Sequence, residues 1–188
     1  MKLSIRRCLV EDAGKLALLA RQTFFDTFTG TCTDEDMQSF LDSFYNETIL
    51  SKELQTPGDY TFFAEVDGKP VAYLRFIEQE PSFPTAPHIK GLELNRLYVD
   101  KNFIGTGVAA QLMDFYKEYA ADNNFDLMWL GVWEHNYRAQ AFYQKHGFRF
   151  SGYKHPFPIG NTPQTDEWWI LETDFNKNQN EKSGAISE

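Results

Sequence analysis

Cysteine is almost missing from this chain. Cys8 and Cys32 are the only two in 188 residues, and they form no C-x-x-C pair. Two thiols make no disulfide framework. Basic side chains are outnumbered, with 18 Lys and Arg against 27 Asp and Glu, a formal net charge of −9. That balance works against nucleic-acid and anionic-membrane partners, and it suits a cationic partner or plain solubility. No apolar run approaches the roughly 18 residues of a membrane helix. The opening MKLSIRRCLVED has no apolar core of the secretory kind. The four histidines, His88, His135, His146 and His155, are scattered without a metal-ligand spacing and read as surface or loop residues. The expectation is a cytoplasmic chain with no metal, no membrane partner and no nucleic acid.

Apolar residues make up 42% of the chain and aromatics 16%, enough for a real core. LSIRRC (3–8) alternates as a strand. Residues 10–28 and 33–45 carry apolar positions at helical spacing. The period then changes. Residues 60–66 and 70–79 read as a hairpin around Asp67-Gly68, followed by a proline-rich loop at 81–87 and a strand at 92–99. A helix at 108–124, an apolar strand at 125–133, a helix at 136–147 closed by Gly147, and strands at 148–155 and 166–175 complete the order. The sequence β-αα-βββ-α-β-α-ββ predicts an α/β (α+β) sandwich: a mixed, mostly antiparallel sheet of about seven strands flanked by about four helices. One domain over 1–175 is expected, with a polar, disordered tail at 176–188.

The segment YVDKNFIGTGVAAQLM (98–113) runs from a strand through two glycines directly into a helix. The first amides of a helix have no internal partner and the macrodipole is positive there, so bare backbone at this point suits an anion. An ordinary tight turn explains a lone glycine pair equally well. A Walker loop fails for want of Gly-Lys-Ser/Thr. A dinucleotide fingerprint is formally met by Gly105, Gly107 and Ala110, with Glu134 available as the ribose-binding acid. Too little chain follows for a doubly wound sheet.

Two longer stretches carry a third reading. Leu97-Tyr98-Val99 leads into Ile104-Gly105-Thr106-Gly107-Val108-Ala109, and GVWEHNYRAQAFYQKHGF (131–148) follows the next strand. These resemble motifs A and B of the Gcn5-related N-acetyltransferase superfamily, over about residues 2–175. Ile104 departs from the pattern, which has Gln or Arg there. TFFDTF (23–28), LELNRLYV (92–99), WLGVWEHN (129–136) and QTDEW (164–168) are similar to PaiA-like acetyltransferases, which act on spermidine and spermine.

The resemblance implies an acetyl-coenzyme A-dependent acyltransferase acting on a small-molecule amine, and it favours a homodimer. It implies that the strand at Leu97, Tyr98 and Val99 pairs with the pantetheine arm. It likewise places the pyrophosphate on Ile104, Gly105, Thr106, Gly107, Val108, Ala109 and Ala110, and gives Asn136 a pantetheine hydrogen bond, although an N-cap role explains Asn136 as well. Tyr143 is implied as the acid that protonates the leaving thiolate. Glu93 is the candidate base, because strict alternation sets 93, 95, 97 and 99 on one face. A solvated face is the bland alternative for Glu93.

The acids Asp26, Asp34, Glu35 and Asp36 suit a cationic acceptor, and Phe24, Phe25 and Phe28 either line a slot for its methylenes or simply pack the first helix. Trp129, Trp133, Trp168 and Trp169 read as core. An acetyl-coenzyme A-binding regulator, a nicotinamide-dependent oxidoreductase, and an acetyltransferase for an aminoglycoside or protein N-terminus are the rival functions.

Overall fold

The structure, a computed structural model, describes residues 2–85 and 88–173. Its elements are β1 (Leu3–Arg7), a 3-10 turn (Val10–Asp12), α1 (Ala13–Phe28), α2 (Asp34–Phe44), α3 (Glu47–Gln55), β2 (Asp59–Val66), β3 (Lys69–Glu78), β4 (Gly91–Val99), a 3-10 turn (Lys101–Phe103), α4 (Val108–Asp122), β5 (Leu127–Trp133), α5 (Tyr137–Lys145), β6 (Arg149–Pro156) and β7 (Thr165–Glu172). The strands form a seven-stranded sheet in the order β1-β2-β3-β4-β5-β7-β6, antiparallel throughout except at β4–β5. This is the mixed α/β sandwich the element order predicts. The parallel pair comes from the β4-α4-β5 crossover, which needs a helix to return the chain to the same sheet end. The tail at 176–188 lies outside the described residues, as does the end of the last expected strand.

The one element the periodicity does not reveal is α3. It buries only Leu50 fully, so its apolar stripe is too short to register. Asn46 starts it, accepting from the Ile49 amide at 3.0 Å. The Asp67-Gly68 turn has φ of 50° and 77°, the left-handed pair that a two-residue hairpin demands.

Each sheet face carries its own core. Leu74, Phe76, Leu92 and Leu94 pack with Leu112, Met113 and Tyr116 of α4, and α5 adds Ala139, Phe142 and Tyr143. On the opposite face Phe63 and Tyr73 pack with Leu16, Ala20 and Phe24 of α1, Phe40 of α2 and Leu50 of α3. Burying a large apolar side chain contributes about 1.5–3 kcal/mol, so these two clusters dominate stability. No helix among the described residues is long and apolar enough to cross a membrane.

Two irregularities in β4 prepare the site. The β3–β4 register shifts so that Phe76 faces Leu94 while Arg75 faces Arg96, leaving Asn95 as an extra residue. This bulge bends and twists the strand. On its other edge β4 pairs with β5 only from Gly91 to Glu93, against Leu127 to Trp129. Beyond that point the two parallel strands separate.

The bulge also corrects the expected alternation of β4. Glu93, facing Ile77, shares its side with Arg96 and Tyr98, the partners of Arg75 and Tyr73. Leu97 and Val99 fall with the α4 core. One inserted residue exchanges the faces of everything after it.

Candidate active site

Separating β4 from β5 opens a cleft of about 460 Å³ through the sheet. An unbroken ladder would wall the two faces apart; here side chains from both reach one space. Leu97, Tyr98 and Val99 line it from β4, where the strand edge facing β5 has lost its partner. Unpaired strand amides and carbonyls require a hydrogen-bonding partner, and an extended polar ligand supplies one.

At the end of β4 the chain turns through Ile104 and Gly105 into α4. Gly105 and Gly107 have φ of 82° and 91°, and a Cβ built on either would meet nothing within 4 Å. Their freedom therefore serves the backbone path and an open approach. Gly107 caps α4 without a side-chain bond. The amides of Val108, Ala109 and Ala110 find no backbone acceptor among the described residues, and the first helical bond is from Gln111 N to Gly107 O at 3.1 Å.

Of the predicted loop residues, Ile104, Gly105 and Ala109 line the cleft, and Thr106, Gly107, Val108 and Ala110 do not. The Thr106 hydroxyl turns back onto Phe103 O at 2.7 Å, and the Val108 side chain is in the core. Ile104, 45% exposed, offers only hydrocarbon where a polar contact is usual.

Asn136 and Tyr143 reach the cleft from α5. Asn136 caps that helix, its Oδ1 accepting from the Ala139 amide at 3.1 Å. Its Nδ2 has no partner among the described residues, so capping and ligand contact are compatible. The Tyr143 ring packs edge-on to Phe142 and Phe148, with centroids 5.5 and 6.0 Å away. Burial raises its pKa above that of an ordinary phenol, and the charge of Asp166 adds to this. Tyr143 therefore keeps its proton at neutral pH.

Glu93 lines the cleft near the point where the strands part, and it is 8% exposed. Gln79 Nε2 donates to one carboxylate oxygen, and Asn95 Nδ2 donates to the other at 3.1 Å. Burial raises its pKa, and the Asn95 contact and nearby Arg75 only partly offset this. The bulged Asn95 thus has a second purpose: its Oδ1 accepts from Arg75 at 2.7 Å while its amide holds Glu93. Arg75 also clasps Asp59 through two bonds of 2.9 and 2.6 Å. Arg96 clasps Glu53 of α3 through bonds of 2.6 and 3.0 Å and lies 4.8 Å over the Tyr45 ring. The two cations on this side of the cleft are thereby matched by Asp59 and Glu53.

The comparisons with known proteins agree with this geometry. Residues 20–148 match the model of the acetyltransferase (GNAT) family. The chain belongs to that family. It is 37% identical over 158 residues, 83% of this chain and 89% of the other, to an uncharacterized N-acetyltransferase in the pepI 3' region of Lactobacillus delbrueckii subsp. lactis. It is 32% identical over 161 residues, 86% of this chain and 97% of the other, to an uncharacterized N-acetyltransferase of Mycobacterium tuberculosis. Its fold is that of the PaiA N-acetyltransferase of Thermoplasma acidophilum in complex with coenzyme A, with a TM-score of 0.76 at 18% identity over 92% of this chain and all of that one. As a GNAT enzyme the protein is an acetyl-CoA-dependent N-acetyltransferase. The open β4 edge, the free α4 amides and the uncrowded glycines fit a thioester of coenzyme A.

Among the cleft residues to which the sequence reading gives no role are two charged ones, Arg138 and Asp166. Arg138 of α5 is exposed, lines the cleft and has no ion pair among the described residues. A basic residue two positions past Asn136 was the available signal. Asp166 of β7 also lines the cleft; it stood within the QTDEW stretch, but nothing in the sequence showed where β7 would lie.

Two of the four acids expected to attract a cationic acceptor are engaged within the protein. Asp36 accepts from the Asn161 amide and the Thr162 hydroxyl, both at 2.8 Å, and Asp26 pairs with Lys101 at 3.3 Å. Among the first-helix aromatics, Phe24 is buried core, Phe25 is exposed and Phe28 lines the cleft. Trp129 and Trp169 are buried, whereas Trp133 and Trp168 border the cleft. His155, expected at the surface or in a loop, is partly buried on β6, with its ring stacked on Trp168, centroids 3.7 Å apart.

Proposed function

We propose that this enzyme acetylates a primary amine of a small polycationic molecule, of the spermidine or spermine kind, by direct attack within a ternary complex. The observation that carries the reading is the slot through the sheet. It lets Glu93 on the α1 face and Tyr143 from the α5 face share one cavity with an open strand edge between them. The coenzyme A complex of the PaiA relative supports placing the co-substrate along that edge.

Acetyl-CoA supplies an activated acyl carbon. The α4 amides and Arg138 hold its phosphates, and the β4 edge together with Asn136 Nδ2 orients the arm. The acceptor enters from the side of α1 and α2, among Phe28, Phe40, Phe44 and Phe157. Glu93 takes the proton of the incoming ammonium, directly or through one water, because an ammonium has no lone pair. As nitrogen bonds to the acyl carbon, a β4 amide donates to the carbonyl oxygen where negative charge gathers. The carbon–sulfur bond then breaks, and Tyr143 gives its phenolic proton to the sulfur. Holding both reactants in one cavity supplies much of the rate.

An amine panel assayed for thiol release from acetyl-CoA tests this. Turnover with spermidine and spermine, at higher kcat/KM than with aminoglycosides or peptide N-termini, is the expected result. Turnover confined to another amine class would overturn the acceptor assignment.

A further inference from the structure

One carboxylate in the acceptor half has no part in the transfer chemistry. Asp166 is 8% exposed, lines the cleft, and its Oδ1 has no hydrogen-bond partner among the described residues. Its neighbours offer it no cation. Across β5 it faces Trp133, and across β6 it faces His155. The His155 Nδ1 is likewise buried without a partner. Lys154, next along β6, is engaged by Glu134 at 3.0 Å and Glu167 at 3.1 Å. Gly131 of β5 lets Trp168, His155 and Asp166 pack close against its backbone. A Cβ there would lie 3.1 Å from Trp168 Cζ3, 3.2 Å from His155 Cε1 and 3.4 Å from Asp166 Oδ2.

An ionised carboxylate without donors is costly to bury, and it draws in a cation when one can reach it. Aromatic faces beside it strengthen the preference for an ammonium. Glu93 lies at the level of Trp129 and Asp166 at the level of Trp133. Four residues along β5 separate these levels by roughly 13 Å, less whatever the side chains lean together. An extended aliphatic chain between two nitrogens bridges such a gap.

We propose that Asp166, bordered by Trp133 and Trp168, is a second ammonium-binding subsite that selects acceptors carrying an amino group beyond the one acetylated. The subsite rests on the reading of this half of the cleft as the acceptor side. It also makes acceptor choice sensitive to pH. Burial, with the charge of Glu134 added, pushes the Asp166 carboxyl up to about 7. The titratable groups around it are Glu134 at the end of β5, Tyr143 of α5 and His155 of β6. Burial lowers the His155 pKa and keeps that ring neutral here. A raised carboxyl pKa means the anion exists above it, so the preference for a second ammonium holds above neutral pH and fades below it.

The test is calorimetric titration of the coenzyme A-bound protein with 1,8-diaminooctane and with 1-aminooctane, above and below neutral pH. The diamine should bind about tenfold tighter at the higher pH, as expected for one charge-assisted contact, and lose that advantage at the lower. Asp166→Asn should abolish the preference while leaving monoamine and coenzyme A binding intact. Gly131→Ala, which crowds Trp168, His155 and Asp166, should reduce it. Equal binding of the two amines by the wild-type protein, or a preference that survives Asp166→Asn, overturns the subsite; should Asp166→Asn fail to fold, the wild-type pH dependence decides. Thiol release measured alongside separates the two readings. A diamine preference without thiol release sinks the transfer reading and keeps the subsite. Thiol release from both amines at equal kcat/KM in wild type and Asp166→Asn does the reverse.

Discussion

The two halves of the cleft are built from different materials. On the side proposed for coenzyme A the surface is largely backbone: the bare edge of β4, the left-handed glycines and the start of α4, which no side chain caps. On the side proposed for the acceptor it is side chains from distant parts of the chain, with Phe28 from α1, Phe40 from α2, Glu93 from β4, Phe157 from beyond β6 and Asp166 from β7. A backbone surface asks of its residues only that they be small and take the right dihedrals. Ile104 is therefore tolerable where a polar residue is usual. A side-chain surface is rewritten by each substitution, which suits the half that distinguishes acceptors.

Substitutions that damage one half and spare the other sharpen this contrast. The largest effect is expected where the halves meet. Tyr143→Phe removes the proton offered to sulfur and should lower kcat by about 10²-fold or more, the usual worth of a positioned acid. Coenzyme A affinity should stay within a few-fold of wild type by fluorescence titration. A protein whose only task is to bind acetyl-CoA would show no such loss. Glu93→Gln should lower kcat/KM by about 10–10²-fold and flatten the acid limb of the pH–rate profile. Because burial raises the Glu93 pKa, activity in the wild type should fall as pH drops through a value above the ordinary carboxylate range. A wild-type limb at the ordinary glutamate position would leave Glu93 without the base's role.

A smaller effect is expected in the backbone half. Gly107 holds φ at 91°, which a side chain adopts only at a cost of about 1–2 kcal/mol. Gly107→Val should weaken coenzyme A binding about tenfold, with acceptor preference in the amine panel unchanged. A shift in acceptor preference would show that the halves are not separable in this way.

The same division explains how much could be read from the sequence. Leu97 to Ala110 is one strand–loop–helix run, and Asn136 to Tyr143 is a second short run, about two helical turns, that follows the next strand. Local chemistry wrote both stretches plainly. The Asn95 bulge is invisible to a period-2 reading, which sets Glu93 with Leu97 and Val99, whereas in the structure it faces the other way. Asp166 comes to the site only because β7 inserts between β5 and β6, a pairing that no local pattern announces. Asp36 reads by composition as part of a cationic lure, because the residues it holds, Asn161 and Thr162, are 125 and 126 positions away in the chain.

The smallest effect separates scaffolding from recognition within the acceptor half. Asp36, in the first turn of α2, ties down residues 161 and 162, accepting from the Asn161 amide and the Thr162 hydroxyl. Those contacts hold its pKa below the usual carboxylate range. The tie is thus complete above the ordinary aspartate pKa and is lost only as pH falls through the lowered one, well below the range where Asp166 changes charge. Asp36→Ala frees the segment that follows Phe157 but removes no cleft-lining group. Acceptor KM should rise about two- to fivefold, the loss of a net hydrogen bond, for monoamines and diamines alike. Asp166→Asn, in contrast, should act on the diamine alone. Equal and selective losses in the two variants distinguish a residue that shapes the acceptor side from one that reads the acceptor's charge.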